Sequence, residues 1–373
     1  MTTSTGINIS AIERDLAELW REEAAGDEEQ RAVTRARVLT LIIYDEKSAS
    51  SANLEDTIYA VTEMHPARVL VLSVEPTSTE SSVEAVVTAA CRVAGQRSKQ
   101  LSCEQVNFTA LGSGADELPS AVAQLLAPDV PVFLWWRAAP DLDNYVFNHL
   151  IKMADRVLFD STVSSTPREG FVRLAQVLAS GVDFPALTDF AWQRLTPWRE
   201  LIASFYDMPD HRPYLDRVDS LTIEYHPHTE HSDITTRSIL LASWLAERLQ
   251  WTLDADASSH DGNNNRFVFR KNGREIVTTF VPVVREGFQD LLASATLGVS
   301  GDDGAQFRVM RNELKQLSSE IWMHGTLHTS RVLAYRSKNE GELLATELSI
   351  SGHDRLYEAA IRVAGQIGSI KQD

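Results

Sequence analysis

The chain has 373 residues and a formal net charge of −17, with 43% hydrophobic and 23% charged residues. This length and composition are typical of two globular domains, and the negative charge argues against nucleic acid or an anionic membrane as a partner. Residues 1–10 lack the basic and apolar regions of a signal peptide, and no apolar run approaches the roughly 20 residues of a membrane span, so we expect a cytoplasmic protein.

The first half of the sequence predicts an α/β domain over residues 1–180. Residues 38–44 and 68–74 are continuous apolar runs typical of buried strands, and the helical pattern of 54–64 between them indicates a βαβ unit. Residues 83–91 and 101–109 alternate and predict a β-hairpin, while 83–94 also fits a helix. Other patterns predict helices at 9–20, 118–127, 142–153 and 168–180 and strands at 131–135 and 156–159. Together they predict a three-layer sandwich with an inserted hairpin.

The second half predicts an α+β domain with an antiparallel sheet over residues 181–373. The sequence Lys271–Asn272–Gly273 is favourable for a tight turn between two strands, 266–270 and 275–283. Additional patterns predict strands at 220–225, 306–310 and 321–324 and helices at 192–206, 238–249, 343–348 and 355–367.

Sequence motifs of nucleotide binding and of nucleophilic catalysis are absent. Neither GxGxxG nor GxxxxGK[ST] occurs, which argues against a Rossmann-type dinucleotide site and a P-loop. The GxSxG motif of a serine nucleophile is also missing. The motifs therefore identify no catalytic residue and no cofactor, but catalytic groups often come from distant parts of a chain, so an enzyme stays open on this evidence.

Three histidines, His226, His228 and His231, lie close together between a predicted strand and a predicted helix. Imidazoles and nearby carboxylates have the composition of a zinc or nickel site. The spacing lacks the i, i+4 pair of a helical metal motif, however, and Pro227 disfavours a helix there. We interpret the segment as a polar loop and predict no metal site.

The chain has two cysteines, Cys91 and Cys103, too few for a disulfide scaffold. If the predicted hairpin turns near Arg97, the two thiols are cross-strand neighbours that could form a redox-sensitive bridge. The alternative, which we favour, is that both are buried and behave as small hydrophobic side chains.

Two segments rich in tryptophan and arginine are candidates for binding another protein. Residues 128–137 (PDVPVFLWWR) and 191–200 (AWQRLTPWRE) contain the residue types that dominate interface hot spots. We predict that partner binding involves Trp135, Trp136, Arg137, Trp192, Arg194, Trp198 and Arg199. The alternative is that some of the tryptophans hold the two domains together internally.

These two segments also carry a family resemblance. Residues 128–137 and 189–207 (DFAWQRLTPWRELIASFYD) resemble the signature stretches of the glucose-6-phosphate dehydrogenase assembly protein family, OpcA. The resemblance extends over both halves, to residues 35–46, 65–76, 238–251 and 354–361.

The resemblance implies a non-catalytic protein that binds glucose-6-phosphate dehydrogenase and promotes its active oligomer or its affinity for glucose 6-phosphate. It also implies thioredoxin control through C-terminal cysteines in photosynthetic members, but no cysteine follows Cys103 here. An alternative function is a sugar-phosphate-binding sensor or enzyme of the same pathway, for which Arg68 and Arg137 are the candidate phosphate ligands.

Overall fold

The computed structural model describes residues 7–25, 38–46, 54–88, 103–179, 184–227, 233–261, 264–284, 291–302, 304–350 and 352–371. The chain forms two units, each with its own sheet and helices, as predicted. Unit 1 comprises Met1–Asp160, Phe184–Phe190 and Asn339–His353, and unit 2 the remainder. The boundary near residue 180 stays a prediction; the two units do not coincide with the ranges 1–180 and 181–373, because Asn339–His353 groups with unit 1.

The sheet of unit 1 has the strand order β3-β4-β2-β1-β5-β6-β7 among the described residues. Its strands are β1 (Leu39–Glu46), β2 (Ala67–Glu75), β3 (Ser82–Thr88), β4 (Cys103–Leu111), β5 (Val132–Trp136), β6 (Arg156–Phe159) and β7 (Ala186–Asp189). All neighbours are parallel except β3 and β4. The predicted antiparallel pair is confirmed, with Val83 opposite Ala110. It is not an inserted hairpin, because β4 also pairs with β2 inside the sheet.

Helices cover both faces of this sheet. They are α1 (Ile9–Ala25), α2 (Leu54–Met64), α3 (Leu118–Leu125), α4 (Tyr145–Leu150) and α10 (Glu340–Glu347). On one face, Trp135 of β5 belongs to a buried cluster with Ile58 of α2 and Leu344 of α10. On the other face, the next residue, Trp136, packs on Phe147 of α4. The strands are continuous apolar runs in the sequence because helices cover both faces of the sheet and bury the side chains on each face.

The sheet of unit 2 has the order β15-β14-β13-β12-β8-β11-β10-β9 among the described residues. Its strands are β8 (Ser220–Tyr225), β9 (Thr252–Asp261), β10 (Asn264–Lys271), β11 (Arg274–Pro282), β12 (Leu292–Val299), β13 (Ala305–Arg311), β14 (Leu317–Met323) and β15 (Thr326–Leu333). The predicted turn is confirmed, since Asn272 and Gly273 both have positive φ between β10 and β11. The sheet is mixed rather than antiparallel, because β8 and β11 are parallel.

The helices of unit 2 are α5 (Pro167–Ala179), α6 (Phe190–Arg194, whose first residue belongs to unit 1), α7 (Thr196–Ser204), α8 (Arg212–Leu215), α9 (Thr236–Arg248) and α11 (Arg355–Gly368). Alternate residues of β8 distinguish the two faces of the sheet: Leu221 and Ile223 are buried, whereas Thr222 and Glu224 are half-exposed. Among the described helices of the two units, none is long and apolar enough to cross a membrane.

Candidate functional site

The first tryptophan segment lies in the core of unit 1. The ring of Trp136 stacks on Tyr44 of the neighbouring strand, with ring centroids 3.6 Å apart and planes inclined by 8°. Its Nε1 donates a hydrogen bond to the carbonyl oxygen of Ala139 at 3.2 Å. Trp135, on the opposite face, lies 6.2 Å from the ring of Phe190. Both indoles are 1% exposed.

Arg137 follows β5 and is bound by carboxylates of its own unit. Its Nη1 donates to Oδ1 of Asp45 at 2.6 Å, and its Nη2 donates to Oε2 of Glu340 at 3.3 Å. Burial raises the pKa of Asp45, and the positive charge of Arg137 partly opposes that rise. The role of Arg137 in this structure is therefore to neutralise a buried carboxylate.

We expect Arg137→Met to lower the free energy of unfolding by about 2–3 kcal/mol near neutral pH, because Asp45 loses its partner while buried. A carboxyl group whose pKa is raised by folding favours the folded state below its unfolded pKa and loses that contribution as the pH rises. The deficit should therefore shrink as the pH is lowered and Asp45 becomes protonated, as measured by urea denaturation across pH. The double variant Asp45→Asn/Arg137→Met should recover most of the loss, and a deficit independent of pH would contradict the assignment.

The second tryptophan segment lies in unit 2 and forms a buried cluster around Trp192. The indole Nε1 donates to Oδ2 of Asp354 at 2.8 Å, the guanidinium of Arg199 lies 3.6 Å from the ring centroid, and Tyr357 packs at 5.5 Å. Burial lowers the pKa of Arg199 to about 10, and the charges of Asp354 and Glu200 oppose that shift. Arg199 also donates to the Thr196 hydroxyl at 2.9 Å, so it is held inside this cluster.

The prediction that the four tryptophans contact a partner is corrected by their burial. Trp135, Trp136, Trp192 and Trp198 are each 1% exposed and belong to the largest fully buried side chains of the described residues. A side chain with almost no accessible surface has no area left to bury against another protein. Each packs within its own unit in the contacts described above or below.

Arg194 and Trp198 border a cavity of about 310 Å³ in unit 2, which we name the cationic cavity. Its described lining consists of Arg194, Leu195, Trp198, Arg237, Leu291, Leu292, Arg311, Lys315, Tyr335 and Ser337. The guanidinium of Arg311 lies 5.8 Å from the ring of Trp198 and 5.7 Å from that of Tyr335. Arg194 and Trp198 are the two of the seven predicted residues that border this cavity.

Sequence reasoning missed four exposed or half-exposed apolar side chains on one face of the sheet of unit 2. In β14, Ser318 and Trp322 share a face; Ser318 pairs with Met310 and Val332, and Trp322 pairs with Leu327. Leu327 and Val332 are 44% and 62% exposed, and Met310 and Trp322 are half-exposed. Trp322 and Leu327 are one paired row, Met310 and Val332 flank Ser318 in another, and the polar residues Arg308, Glu320 and Ser330 form the row between them. We call Met310, Trp322, Leu327 and Val332 together the open-face patch. The sequence did contain a signal for it: in an alternating strand pattern, Trp322 lies on the same face as the polar residues Ser318 and Glu320.

Arg68 does not fit its predicted role as a phosphate ligand. It is 3% exposed and lies between two carboxylates, with Nε donating to Glu104 and Nη1 donating to Glu13, both at 2.8 Å. Nη1 also donates to the carbonyl oxygen of Leu125 at 2.9 Å. With Arg137 also paired, neither candidate of the sugar-phosphate hypothesis is placed to bind an anion.

The predicted redox and histidine features lie mainly outside the described residues. Cys91 is not among them, and Cys103 is described only as the first backbone position of β4. His228 and His231 also lie outside, whereas His226 is buried and its Nδ1 lies 2.6 Å from the carbonyl oxygen of Val283. Within the described residues, no group of histidine, cysteine and carboxylate side chains is arranged to hold a metal ion.

The family models and the relatives that this chain matches all belong to one family. Residues 59–176 match the family model described as glucose-6-phosphate dehydrogenase subunit N-terminal domain, and 185–361 match the one described as its C-terminal domain. The "Putative OxPP cycle protein OpcA" of Synechocystis sp. is 29% identical over 206 residues, which cover 54% of this chain and 40% of that protein. Its counterpart in Nostoc punctiforme is 32% identical over 188 residues, covering 50% and 38%. The match thus spans about two fifths of these relatives' length.

One solved structure shares the fold along most of the chain. Glucose-6-phosphate 1-dehydrogenase from Mycobacterium avium superposes with a TM-score of 0.51 at 10% sequence identity, covering 88% of this chain and 90% of that one. At this identity the likeness is one of fold alone.

Proposed function

Since the chain belongs to the family of the glucose-6-phosphate dehydrogenase assembly protein OpcA, we propose that it binds glucose-6-phosphate dehydrogenase and promotes the enzyme's active oligomer or its affinity for glucose 6-phosphate. The observation that carries the proposal is the match of two family models, both described as domains of a subunit of that enzyme, to most of the chain. A protein that binds the active state more tightly shifts the enzyme's population toward that state.

The proposal that the chain is non-catalytic is supported by the carboxyl end of β1. In parallel α/β sheets, dinucleotides bind at this edge, with the pyrophosphate against a glycine-rich turn after the first strand. Here β1 ends at Asp45 and Glu46, and residues 45–53 (DEKSASSAN) contain no glycine. The two carboxylates oppose a pyrophosphate, and the stacked rings of Tyr44 and Trp136 occupy the ends of two adjacent strands.

The open-face patch is our candidate surface for the dehydrogenase. It combines a half-exposed tryptophan and a half-exposed methionine, residue types enriched at protein interfaces, with two exposed aliphatic side chains. The indole Nε1 of Trp322 donates to Oε2 of Glu320 at 3.0 Å, which fixes the ring and reduces the entropy lost on binding. The adjoining strand β15 is one of the two edge strands of the described sheet, and seven of its eight residues are exposed.

Steady-state kinetics of the cognate dehydrogenase tests the proposed activation. Adding this chain at micromolar concentration should lower the apparent KM for glucose 6-phosphate or raise the activity per enzyme subunit, because the active state is favoured. The chain alone should not oxidise glucose 6-phosphate with either nicotinamide cofactor. Turnover by the isolated chain, or unchanged kinetics when the two proteins are mixed, would contradict the proposal.

A further inference from the structure

The cationic cavity has a charge composition unlike that of the chain as a whole. Four of its ten lining residues are basic, Arg194, Arg237, Arg311 and Lys315, and no acidic residue is among the described residues that line it. The chain as a whole has 52 acidic and 35 basic residues. A concave site with one sign of charge and low-dielectric walls concentrates ions of the opposite sign.

Arg311, at the end of β13, is held in place at the wall of this cavity. Its Nε donates to the carbonyl oxygen of Leu292 at 3.4 Å, and its Nη1 donates to that of Lys315 at 3.1 Å. Lys315 has a φ of 58°, a left-handed conformation that is uncommon for a residue with a side chain. The turn thus adopts a costly backbone conformation in which the Lys315 carbonyl group anchors the guanidinium and its own side chain also lines the cavity.

The electrostatic environment of Arg311 favours a bound anion. Burial lowers its pKa, the positive charge of Arg237 lowers it further, and Tyr335 opposes these effects. Both of its hydrogen bonds described above go to carbonyl oxygens, which are neutral acceptors. An anion placed between Arg311 and Arg237 would offset the repulsion between two partly desolvated cations.

We propose that the cationic cavity binds the phosphate group of a small phosphorylated metabolite. Guanidinium groups bind phosphate oxygens through paired hydrogen bonds, and a lysine adds a further charge. The volume of about 310 Å³ lies at the lower end of the range for ligand sites, and it suits a sugar monophosphate better than a dinucleotide. Leu195, Leu292 and the rings of Trp198 and Tyr335 supply the apolar wall for the carbon skeleton.

This inference moves the sugar-phosphate hypothesis from Arg68 and Arg137 to a different set of arginines. It does not depend on the proposed function, because it concerns binding to the isolated chain. If either proposal fails, the other still stands. The dehydrogenase complex is measured with two proteins, whereas ligand binding to the cavity is measured with this chain alone.

Calorimetric titration of the full chain at low ionic strength tests the inference. Glucose 6-phosphate should bind, unphosphorylated glucose should not, and added salt should weaken the binding. A titration with inorganic phosphate shows whether the sugar contributes to binding. If inorganic phosphate binds more weakly than glucose 6-phosphate, the sugar is also recognised; if the two bind equally, the site recognises phosphate alone. Either result supports a phosphate site.

Substitutions locate the site. Arg311→Gln and Arg237→Gln should each weaken glucose 6-phosphate binding at least about tenfold, since each removes a charged hydrogen-bond donor. Arg248→Gln, an exposed position on the same helix as Arg237, is the matched control and should leave binding unchanged. Thermal denaturation verifies that each variant is folded. If Arg311→Gln does not fold, the binding affinity of Arg237→Gln provides the test. Absence of heat with both phosphate probes, or wild-type affinity in the folded cavity variants, would overturn the inference.

Discussion

Replacing Trp136 by alanine is expected to lower the free energy of unfolding by about 3–5 kcal/mol, because a fully buried indole leaves a cavity that its neighbours fill only in part. The loss includes the stacking on Tyr44, the contact with Phe147 at 4.7 Å and the hydrogen bond to Ala139. Urea denaturation followed by far-ultraviolet circular dichroism measures the change. Trp136→Phe should lose clearly less, since it retains an aromatic ring in the same place.

The matched control is Trp322→Ala, in which the same residue type is removed from a half-exposed position. It should cost under about 2 kcal/mol, because much of the indole is already in contact with water. The two variants therefore separate a tryptophan of the core from a tryptophan of the surface. Near-native stability of Trp136→Ala would restore the sequence-based interpretation of that residue as an interface anchor.

Placing charges on the open-face patch should abolish the complex with the dehydrogenase. The double variant Leu327→Asp/Val332→Asp puts two carboxylates where the interface would exclude water, and we expect the dissociation constant to rise by more than about a hundredfold. Both side chains are exposed, so the stability of the isolated chain should change little. Surface-immobilised dehydrogenase and a concentration series of each variant provide the measurement.

Val284→Asp is the control for a generic effect of added negative charge. Val284 is 71% exposed and follows β11, which lies five positions from β15 in the strand order. Its variant should bind the dehydrogenase as the wild type does. Equal binding by the double patch variant would exclude the patch as the docking surface, and a concentration-dependent dimer of the chain that the patch variant lacks would assign the patch to self-association.

The sequence predicted those parts of the fold that depend on local patterns. The strands around residues 38–44 and 68–74 are continuous apolar runs, and the Asn272–Gly273 turn has backbone preferences that do not depend on distant contacts. The pairing of β4 with β2, the parallel β8–β11 pair and the return of Asn339–His353 to unit 1 are not encoded in any local period. They are set by contacts between residues far apart in sequence.

The candidate site was predicted only in part for a similar reason. Tryptophan and arginine are favoured both in interfaces and in buried clusters, so their presence at 135–137 and 192–199 did not reveal which environment they occupy. The cationic cavity combines residues between 194 and 337 that no spacing rule connects. Trp322 was missed as well, although its place in the polar phase of β14 was a signal that separates it from a core residue.

Direct association with glucose-6-phosphate dehydrogenase is the central claim, and the mass of a purified mixture tests it most directly. Analytical ultracentrifugation of the full chain with the cognate enzyme, each at micromolar concentration, should show a new species that contains both proteins and is heavier than either alone. Sedimentation of the two proteins as independent species over the whole concentration range would contradict the account.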